Sequence, residues 1–328
     1  MKNRLLRIIA AFSLVTYIFM TAAAIALQEK EYKEPKSSLP SQEMADEPSH
    51  IITSGPDEDV PYLDTLGKIG FEVSSLGVKQ GGFIVMTAHN INPMEIKFSS
   101  PFNITPVWVA VDDHFSALIP VKFTYEPGEY LIEVSTEERN EDFLITVTDG
   151  GFDTQYLTVD ESVTSSTIDN SAANDEYFKK AQPVKSISHS EILWDEEFIM
   201  PAEGKMTTSF GSGRVVNGKP SDRHGGIDIA AERGTPVKAS NSGEVIFAEF
   251  LQLTGNTVCI EHGMGLKTWY YHMDSLDVVS GERVSKGETI GTIGSTGFST
   301  GPHLHFAVAV GTVYVDPALV IDTKLPLV

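Results

Sequence analysis

Short β-prone runs recur along most of this sequence, and they constrain its fold more than any other feature. Val, Ile, Phe, Tyr and Thr dominate these runs, and turn-forming Gly, Pro, Asn and Asp separate them. One group lies between residues 61 and 150, at 83–88, 96–98, 107–111, 118–123, 130–134 and 143–147. A second group follows residue 201, at 226–229, 245–248, 257–261, 268–272, 289–293 and 303–310. Strands of this length and spacing predict a mostly β protein.

The first group of runs predicts a small β-sandwich over residues 61–150. Apolar and polar residues alternate along 130–134 and again along 143–147, as they do in antiparallel strands with one buried face. Pro127 and Gly128 supply a turn signal just before the first of these two runs.

The remainder of the chain predicts a linker and a second domain. Residues 151–197 are rich in Ser, Thr, Asp and Asn, with one short helical pattern near 175–181. Glycine becomes frequent beyond this point and the β-prone runs are short. We therefore expect an antiparallel-β domain over residues 198–328.

The N-terminus has the pattern of an export signal. Lys2, Arg4 and Arg7 precede an uncharged run over residues 8–27. A run of about 20 residues can just span a bilayer, whereas the Ala-rich stretch 22–26 offers small-residue cleavage sites. Residues 1–27 are thus predicted to be either a cleaved signal peptide or a retained membrane anchor. In both cases the rest of the chain is expected outside the cytoplasm, and residues 28–60 read as an acidic, flexible spacer.

Charge is unevenly distributed and excludes one class of partner. Residues 28–200 hold 32 acidic against 11 basic side chains, whereas residues 201–328 hold 13 against 10. An acidic surface without a basic stripe repels a phosphate backbone. No nucleic-acid partner is therefore expected.

Three residues near the middle of the second domain are expected to have structural or solvent roles. The single cysteine, Cys259, lies in an apolar run and is predicted to be a buried core thiol. Glu261 is expected to be a solvated charge at a strand end. His262, in a glycine-rich turn, is expected to make a structural hydrogen bond.

Histidines cluster in the second domain, which holds five of the nine in the chain. His303 and His305 begin a β-prone run, and residues two apart in a strand project from the same face. Both imidazoles can therefore reach one site. A single His-x-His pair is common without a metal, so the interpretation depends on further donors.

Those donors are His224 and Asp228. Two glycines between them allow the backbone to bend, and Asp228 stands between Ile227 and Ile229 in an alternating strand. Imidazole nitrogens together with one carboxylate make the donor set that zinc uses in catalytic sites, with a further position left for water. The pattern favours zinc over manganese or iron.

These residues stand in motifs that resemble the lysostaphin-type or LytM-type family of peptidoglycan metallo-endopeptidases. The resemblance covers residues 198–319 and is carried by His224 with Asp228, by Tyr271-His272, and by Gly301-Pro302-His303-Leu304-His305-Phe306. It implies a LytM-type metallopeptidase fold. The segment that precedes it is similar, more weakly, to the N-terminal β-domain of secreted two-domain members.

The resemblance also implies roles for individual residues. His224, Asp228 and His305 would hold one zinc ion per catalytic domain. His303 would act as the general base, and His272 would stabilise the transition state. The expected substrate is a stem or cross-bridge peptide of peptidoglycan, cut by an enzyme that is anchored facing outward or secreted to the cell wall or periplasm.

Alternative functions remain open at this stage. The family includes members that have lost zinc ligands and activate other cell-wall hydrolases, so a catalytically silent regulator is the main alternative. A scaffold between membrane and wall is another. The rhythm of residues 243–245 and 284–291 is similar to that of lipoyl or biotinyl carrier domains, but their lysine motif is missing. The oligomeric state and the bond that is cut are not encoded in any residue we can name.

Overall fold

The computed structural model describes residues 69–325. The expected export segment, residues 1–27, and the spacer, residues 28–60, lie outside the described residues. The elements of the first part are β1 Gly70–Val73, β2 Gly77–Lys79, β3 Phe83–His89, β4 Lys97–Ser99, β5 Val109–Val111, β6 His114–Pro120, β7 Gly128–Ser135, β8 Asn140–Thr148, β9 Thr154–Leu157, α1 Glu161–Ser166 and α2 Ser171–Lys185.

The elements of the second part are all strands apart from a closing 3-10 turn at Pro317–Leu319. They are β10 Lys205–Thr208, β11 Gly213–Val216, β12 Lys219–Ser221, β13 Ile227–Ala230, β14 Pro236–Lys238, β15 Gly243–Leu251, β16 Gly255–Glu261, β17 Leu266–Leu276, β18 Arg283–Val284, β19 Thr289–Ile293, β20 His303–Val310 and β21 Val313–Val315. The predicted mostly β fold class is confirmed.

Two four-stranded sheets form a sandwich in the first part. Their strand orders are β1-β3-β6-β5 and β2-β8-β7-β4. Ile84 and Ile119 of the first sheet pack against Ile132 and Ile145 of the second. Strands β7 and β8 alternate between buried and exposed residues because their outer face meets solvent.

Strands β3 and β6 do not alternate, since both of their faces are buried. Ile84 and Met86 of β3 face the sandwich core, whereas Val85 belongs to the core of the C-terminal sheet. Leu118 of β6 also faces that second core, between Ala117 and Ile119. The sandwich therefore shares hydrophobic packing with the part of the chain that follows it.

The predicted β run at 118–123 is wrong at its C-terminal end. Strand β6 ends at Pro120, and the backbone N–H of Tyr125 donates to the carbonyl of Lys122 at 3.2 Å. Proline has no N–H to continue a strand ladder, and the chain turns here. Phe123 and Thr124 consequently lie in a loop.

A ten-stranded sheet, with the main order β10-β13-β20-β17-β16-β15-β18, dominates the second part. Every pairing along this order is antiparallel. Strand β20 lies between β13 and β17, and its His305 is opposite both Asp228 and Tyr271. Inner strands of the sheet thus carry four of the five predicted site residues, Asp228, His272, His303 and His305.

Helix α2 covers one face of this sheet. Its Ala181 is fully buried in a cluster with Trp269, Tyr271 and Ala307. Asn170 caps the helix, accepting hydrogen bonds from the N–H groups of residues 172 and 173. The helix is 15 residues long and includes the shorter one predicted near 175–181.

The segment predicted as a linker also contributes a strand. Strand β9 pairs in parallel with β11, and β12 completes a three-stranded sheet in the order β12-β11-β9. Gln155 of β9 is opposite Arg214 of β11 in this register. Residues 151–197 therefore pack with the domain that follows them.

The expectation for Glu261 is wrong. Its side chain is fully buried and accepts backbone N–H bonds from Gly263 at 2.9 Å and Gly265 at 3.2 Å. Both glycines have positive φ, which turns their N–H groups inward and satisfies the carboxylate. The predictions for the other two residues are confirmed, since Cys259 is buried and His262 hydrogen-bonds Ser242 and Thr268.

No helix among residues 69–325 has both the length and the apolar character needed to cross a membrane.

Candidate active site

The three predicted ligands converge in one cluster. Candidate donor atoms of His224, Asp228 and His305 lie within 4.8 Å of one another. Nε2 of His224 is 2.8 Å from Oδ1 of Asp228 and 2.7 Å from Nδ1 of His305. Nδ1 of His305 is 2.9 Å from the same carboxylate oxygen. This arrangement can hold a single cation.

The loop between β12 and β13 positions His224. Its backbone N–H donates to the carbonyl of Ser212, and its own carbonyl accepts from Gly211, both at 2.8 Å. The imidazole Nδ1 donates to the carbonyl of Ser209 at 3.0 Å. With Nδ1 protonated for this bond, Nε2 carries the lone pair that faces the cluster.

Strand pairing positions the other two residues. Asp228 and His305 are direct neighbours across β13 and β20, so their side chains project from the same face of the sheet. Ile227 and Ile229, on either side of Asp228, are buried in the hydrophobic core. This alternation explains why one polar residue stands within an otherwise apolar strand.

The protonation states of the cluster suit a metal site. Burial alone would raise the pKa of Asp228, but hydrogen bonds and charge from His224 and His305 hold it well below its usual range. Burial lowers the pKa of His305 to about 4, against the opposing pull of Asp228. At neutral pH the carboxylate is therefore ionised and the His305 imidazole neutral, which are the forms that coordinate metals.

The two remaining histidines of the prediction lie beside the cluster. Nε2 of His303 is 4.0 Å from Oδ1 of Asp228, and the ring centroids of His303 and His272 are 4.8 Å apart. Nδ1 of His303 donates to the carbonyl of Gly301, and Nδ1 of His272 to that of Thr296, each at 2.8 Å. Both imidazoles, when neutral, therefore have a free lone pair on Nε2.

His272 is the more perturbed of this pair. Burial, together with the neighbouring imidazoles of His303 and His305, lowers its pKa to about 3. Its φ of 62° is unusual for a residue with a side chain. The backbone irregularity lies where β17 shifts register, between its pairings with β20 and β19.

Arg214 is part of the site although the sequence did not single it out. Its Nη2 donates to Oδ2 of Asp228 at 3.1 Å, on the carboxylate oxygen that does not face the imidazoles. Arg214 lies in β11, a strand outside the sheet that carries Asp228. Its position between Gly213 and Val215 gave no local signal, because only the folded chain brings the two side chains together.

Two cavities meet at the cluster. The Asp228 cavity, of about 310 Å³, is lined by Asp228 and His303 and by Gln155 of β9. The His305 cavity, of about 650 Å³, is lined by His305 and Tyr271 among others. Arg214, His272 and Phe298 line both cavities. The cluster therefore lies between two neighbouring cavities, which together we call the cleft.

The segment that carries these histidines matches a known family. Residues 222–317, which include all five predicted site residues, match the family described as Peptidase family M23. By this match, residues 222–317 are a peptidase family M23 domain, and we call them and the strands that pack with them the M23 domain. Arg214 and β9 to β12 precede the matched residues, so the cleft of this M23 domain includes elements outside the family match.

The curated relatives match about a third of this chain. The DD-carboxypeptidase/endopeptidase Mpg of Neisseria meningitidis serogroup B is 44% identical over 97 residues, which is 30% of this chain and 22% of that protein. The peptidoglycan DD-endopeptidase ShyC of Vibrio cholerae is 42% identical over 97 residues, again 30% and 22%. The matches thus span about a fifth of the relatives' length.

One solved structure resembles the chain beyond the M23 domain. A protein described as a putative peptidase M23 from Pseudomonas aeruginosa covers 74% of this chain, and 94% of its own chain is covered, with a TM-score of 0.55 and 23% identity. At this identity the likeness concerns the fold. It extends beyond residues 222–317, since it covers 74% of this chain.

Proposed function

We propose that this chain is a zinc-dependent endopeptidase that hydrolyses peptide bonds in bacterial peptidoglycan. The observation that carries the proposal is the convergence of three metal-donor side chains with two further imidazoles in one cleft. All five residues lie within the M23 match.

The donor set fits zinc. Two imidazole nitrogens and one carboxylate oxygen, from His224, His305 and Asp228, are the ligand types of catalytic zinc sites. Two of the proposed ligands are also held by hydrogen bonds, as ligands in metal sites usually are. The Ser209 carbonyl orients His224, and the Arg214 guanidinium orients Asp228. When bound, one zinc ion per domain would supply a Lewis acid that polarises the scissile carbonyl and makes water nucleophilic near neutral pH.

We assign the general-base role to His303. Its Nδ1–H is held by the Gly301 carbonyl, so Nε2 is the atom that can take a proton from the attacking water. The same nitrogen can then return that proton to the departing amine. Nε2 lies 4.0 Å from Asp228, at the edge of the cluster and within the Asp228 cavity.

We assign stabilisation of the transition state to His272. The Thr296 carbonyl already engages its Nδ1–H, so donation to the carbonyl oxygen of the substrate needs a proton on Nε2 as well. Because the pKa of the free His272 imidazole is only about 3, this proton is taken up from solvent as negative charge develops on that oxygen and raises the pKa. His272 would therefore act most strongly when the anion has formed, which is what transition-state stabilisation requires.

The substrate class follows from the names of the relatives. Both Mpg and ShyC are described as endopeptidases, and ShyC as one of peptidoglycan. We propose stem or cross-bridge peptides of peptidoglycan as the substrate of this chain. This agrees with the expected location outside the cytoplasm, with residues 8–27 as a possible membrane anchor.

The alternative of a catalytically silent regulator has less support. Silent members are expected to lack one or more donors, whereas this chain retains His224, Asp228 and His305 with His272 and His303 beside them. An imidazole pair with free Nε2 atoms at the metal cluster is not needed for binding a partner protein.

The test is digestion of purified peptidoglycan sacculi by the full chain, with released fragments identified by mass spectrometry. We expect wild-type protein to release peptide fragments, a chelator to abolish release, and added zinc to restore it. His303→Ala should reduce the rate by about 10²- to 10⁴-fold, the usual contribution of a general base. The matched control is His89→Ala, in β3 of the sandwich, which should retain full activity.

Either of two results would contradict the proposal. Zinc-loaded wild-type protein could fail to release fragments from several wall types, which would favour the regulator. Alternatively, His303→Ala could digest sacculi as fast as wild type, which would remove the proposed base.

A further inference from the structure

The His305 cavity is bounded by three separate parts of the chain. The M23 sheet contributes Tyr271 and His305, helix α2 contributes Tyr177, and the loop after β6 of the sandwich contributes Phe123 and Thr124. Its volume of about 650 Å³ is in the range of small-ligand pockets, about 300–1,000 Å³. The sandwich, for which the sequence indicated no role, therefore forms one wall of the active-site cleft.

Aromatic packing fixes the sandwich wall in place. Phe123 packs edge-on against Phe210, in the loop between β10 and β11, with ring centroids 5.6 Å apart and an interplanar angle of 75°. Phe210 in turn packs against Phe152, at 6.1 Å and 73°. The backbone N–H of Asp316 donates to the carbonyl of Gly81 at 2.8 Å, which joins the two parts again. The wall is consequently part of a packed core.

Helix α2 is held in place by polar contacts. The hydroxyls of Tyr177 and Tyr314 are 3.2 Å apart, and those of Tyr314 and Tyr271 are 3.0 Å apart. Glu176 accepts from the N–H of Gln252 at 2.9 Å. The tyrosine hydroxyls thus link the helix to the strand that carries His272.

The lining indicates which part of a peptidoglycan substrate would fit. The cavity begins at His305 and His272, beside the proposed metal cluster. Its first occupant would therefore be the amino acid next to the scissile peptide bond, and not a sugar. Two guanidinium groups, of Arg214 and Arg223, and one carboxylate, of Asp222, lie along it. Arg214 is already paired with Asp228, whereas the exposed Arg223 keeps N–H donors beyond its bond to the Gly211 carbonyl. The Arg223 guanidinium and the aromatic faces therefore suit a peptide that bears a carboxylate.

We propose that the His305 cavity is a substrate subsite for a carboxylate-bearing stem peptide, and that the sandwich is a specificity element through Phe123 and Thr124. This inference rests on the proposed endopeptidase function. It assigns to the sandwich the binding of one side of the scissile bond. Removing free space at Thr124 should then weaken substrate binding without changing the metal cluster.

The test introduces one reactive cysteine at a time, which is feasible because the chain has a single natural cysteine and that cysteine is buried. Cys259 is fully buried and should not react with a thiol reagent in the folded protein. Thr124→Cys would introduce an exposed thiol at the cavity, and Thr146→Cys an exposed thiol on the outer face of β8 as the matched control. Each variant is assayed on a cross-linked muropeptide before and after labelling with a bulky maleimide, so each serves as its own reference for folding.

Labelling at residue 124 should raise KM and lower kcat/KM by about tenfold or more, whereas labelling at residue 146 should change it by less than about twofold. Zinc content and melting temperature should stay unchanged for both. Undiminished cleavage after complete labelling at residue 124 overturns the subsite, as does an equal loss at both positions. A wild-type chain that cleaves no muropeptide contradicts the proposed function itself, and the unlabelled proteins show this before any label is added.

Discussion

Backbone carbonyls set the direction in which each imidazole of the site presents its lone pair. Ser209, Thr296 and Gly301 each accept an Nδ1–H bond, from His224, His272 and His303 respectively. Each of these three imidazoles therefore presents the lone pair of its Nε2 to the site. His305 differs, since its Nδ1 faces Asp228.

Arg214 supports a prediction about metal affinity. Its hydrogen bond to Oδ2 fixes the Asp228 carboxylate, so Arg214→Met should lower the affinity for zinc by about 10- to 100-fold, as loss of such outer contacts usually does. Competition with a chromophoric chelator measures this. Arg233→Met is the control, because Arg233 pairs with Asp274 on the surface and is 68% exposed. Equal affinities for both variants and wild type would contradict the prediction.

His262 supports a prediction about acid stability. Burial lowers its pKa to about 4, from about 6.5 in the unfolded chain. Stability from this group is fully present above pH 6.5 and is lost as the pH falls toward 4, because only the unfolded chain takes up the proton. The free energy of unfolding that is lost over this pH range because of His262 is about 3 kcal/mol.

His262→Asn removes the titrating group and keeps a donor for the Ser242 carbonyl. The variant should be less stable than wild type at pH 7.5, but it should lose less stability between pH 7.5 and pH 4.5. Urea unfolding at the two pH values measures both differences. Since the other histidines are unchanged, parallel pH profiles would contradict the assigned role of His262.

Single residues were predictable from sequence where local pattern determines geometry. His303 and His305 share a face because strand side chains alternate, and Asp228 interrupts an apolar alternation. Glu261 was not predictable, because its partners are the N–H groups of a turn whose conformation the residue types do not reveal. Arg214 was missed for a related reason, since its partner lies on a different sheet.

At the level of elements, the close approach of β13 and β20 determines where the ligands meet. A Cβ on Gly226 would lie 2.2 Å from the carbonyl oxygen of Phe306 and 2.9 Å from Cβ of Ala307. Only glycine fits beside β20 at this position. The pairing of Asp228 with His305 follows two residues later.

We therefore expect Gly226→Ala to separate the two strands. The free energy of unfolding should fall by about 1–3 kcal/mol, which is the usual cost of overpacking. Zinc affinity should fall as well, because the separation moves Asp228 away from His305. Gly77→Ala in β2 is the control, since a Cβ there would meet only Ser75 at 4.0 Å. Urea unfolding and zinc titration of the two variants check the prediction, and a stable Gly226→Ala with wild-type affinity would falsify it.

Strand positions in the M23 domain were predicted well, and β20 occupies the predicted run 303–310. Boundaries failed where the chain leaves a strand for a tertiary reason. The run at 118–123 stays apolar beyond Pro120 because Phe123 packs on Phe210, not because the strand continues. Helix α2 begins earlier than predicted because its polar first turn is stabilised by the Asn170 cap.

At the scale of the whole molecule, the sandwich and the M23 domain share a hydrophobic core. Val85, Val109 and Leu118 of the sandwich belong to the same cluster as Phe210 and Ile227. Domain limits predicted from composition, at residues 150 and 198, could not reveal this, because contacts across a boundary leave no local pattern. For the same reason, Gln155 and Tyr177 were placed in a linker, although both line the cleft.

Phe210 gives a measurable consequence of this shared core. Its side chain is 5% exposed and contacts the rings of Phe123, in the sandwich, and Phe152, in the segment after it. Phe210→Ala should therefore lower the free energy of unfolding by about 3–5 kcal/mol. Leu131→Ala, at a position 43% exposed on β7, should change it by less than about 0.5 kcal/mol. Chemical denaturation measures both, and a loss no larger for Phe210→Ala than for Leu131→Ala would contradict a packed interface.

The parallel pairing of β9 with β11 has a consequence for solubility. A fragment that begins at residue 198 would lack β9 and expose one edge of β11, with its unpaired N–H and C=O groups beside Val215 and Val216. Open strand edges recruit strands from other molecules, so such a fragment should self-associate as its concentration rises. A fragment that begins at residue 151 keeps β9 and covers this edge with its own chain.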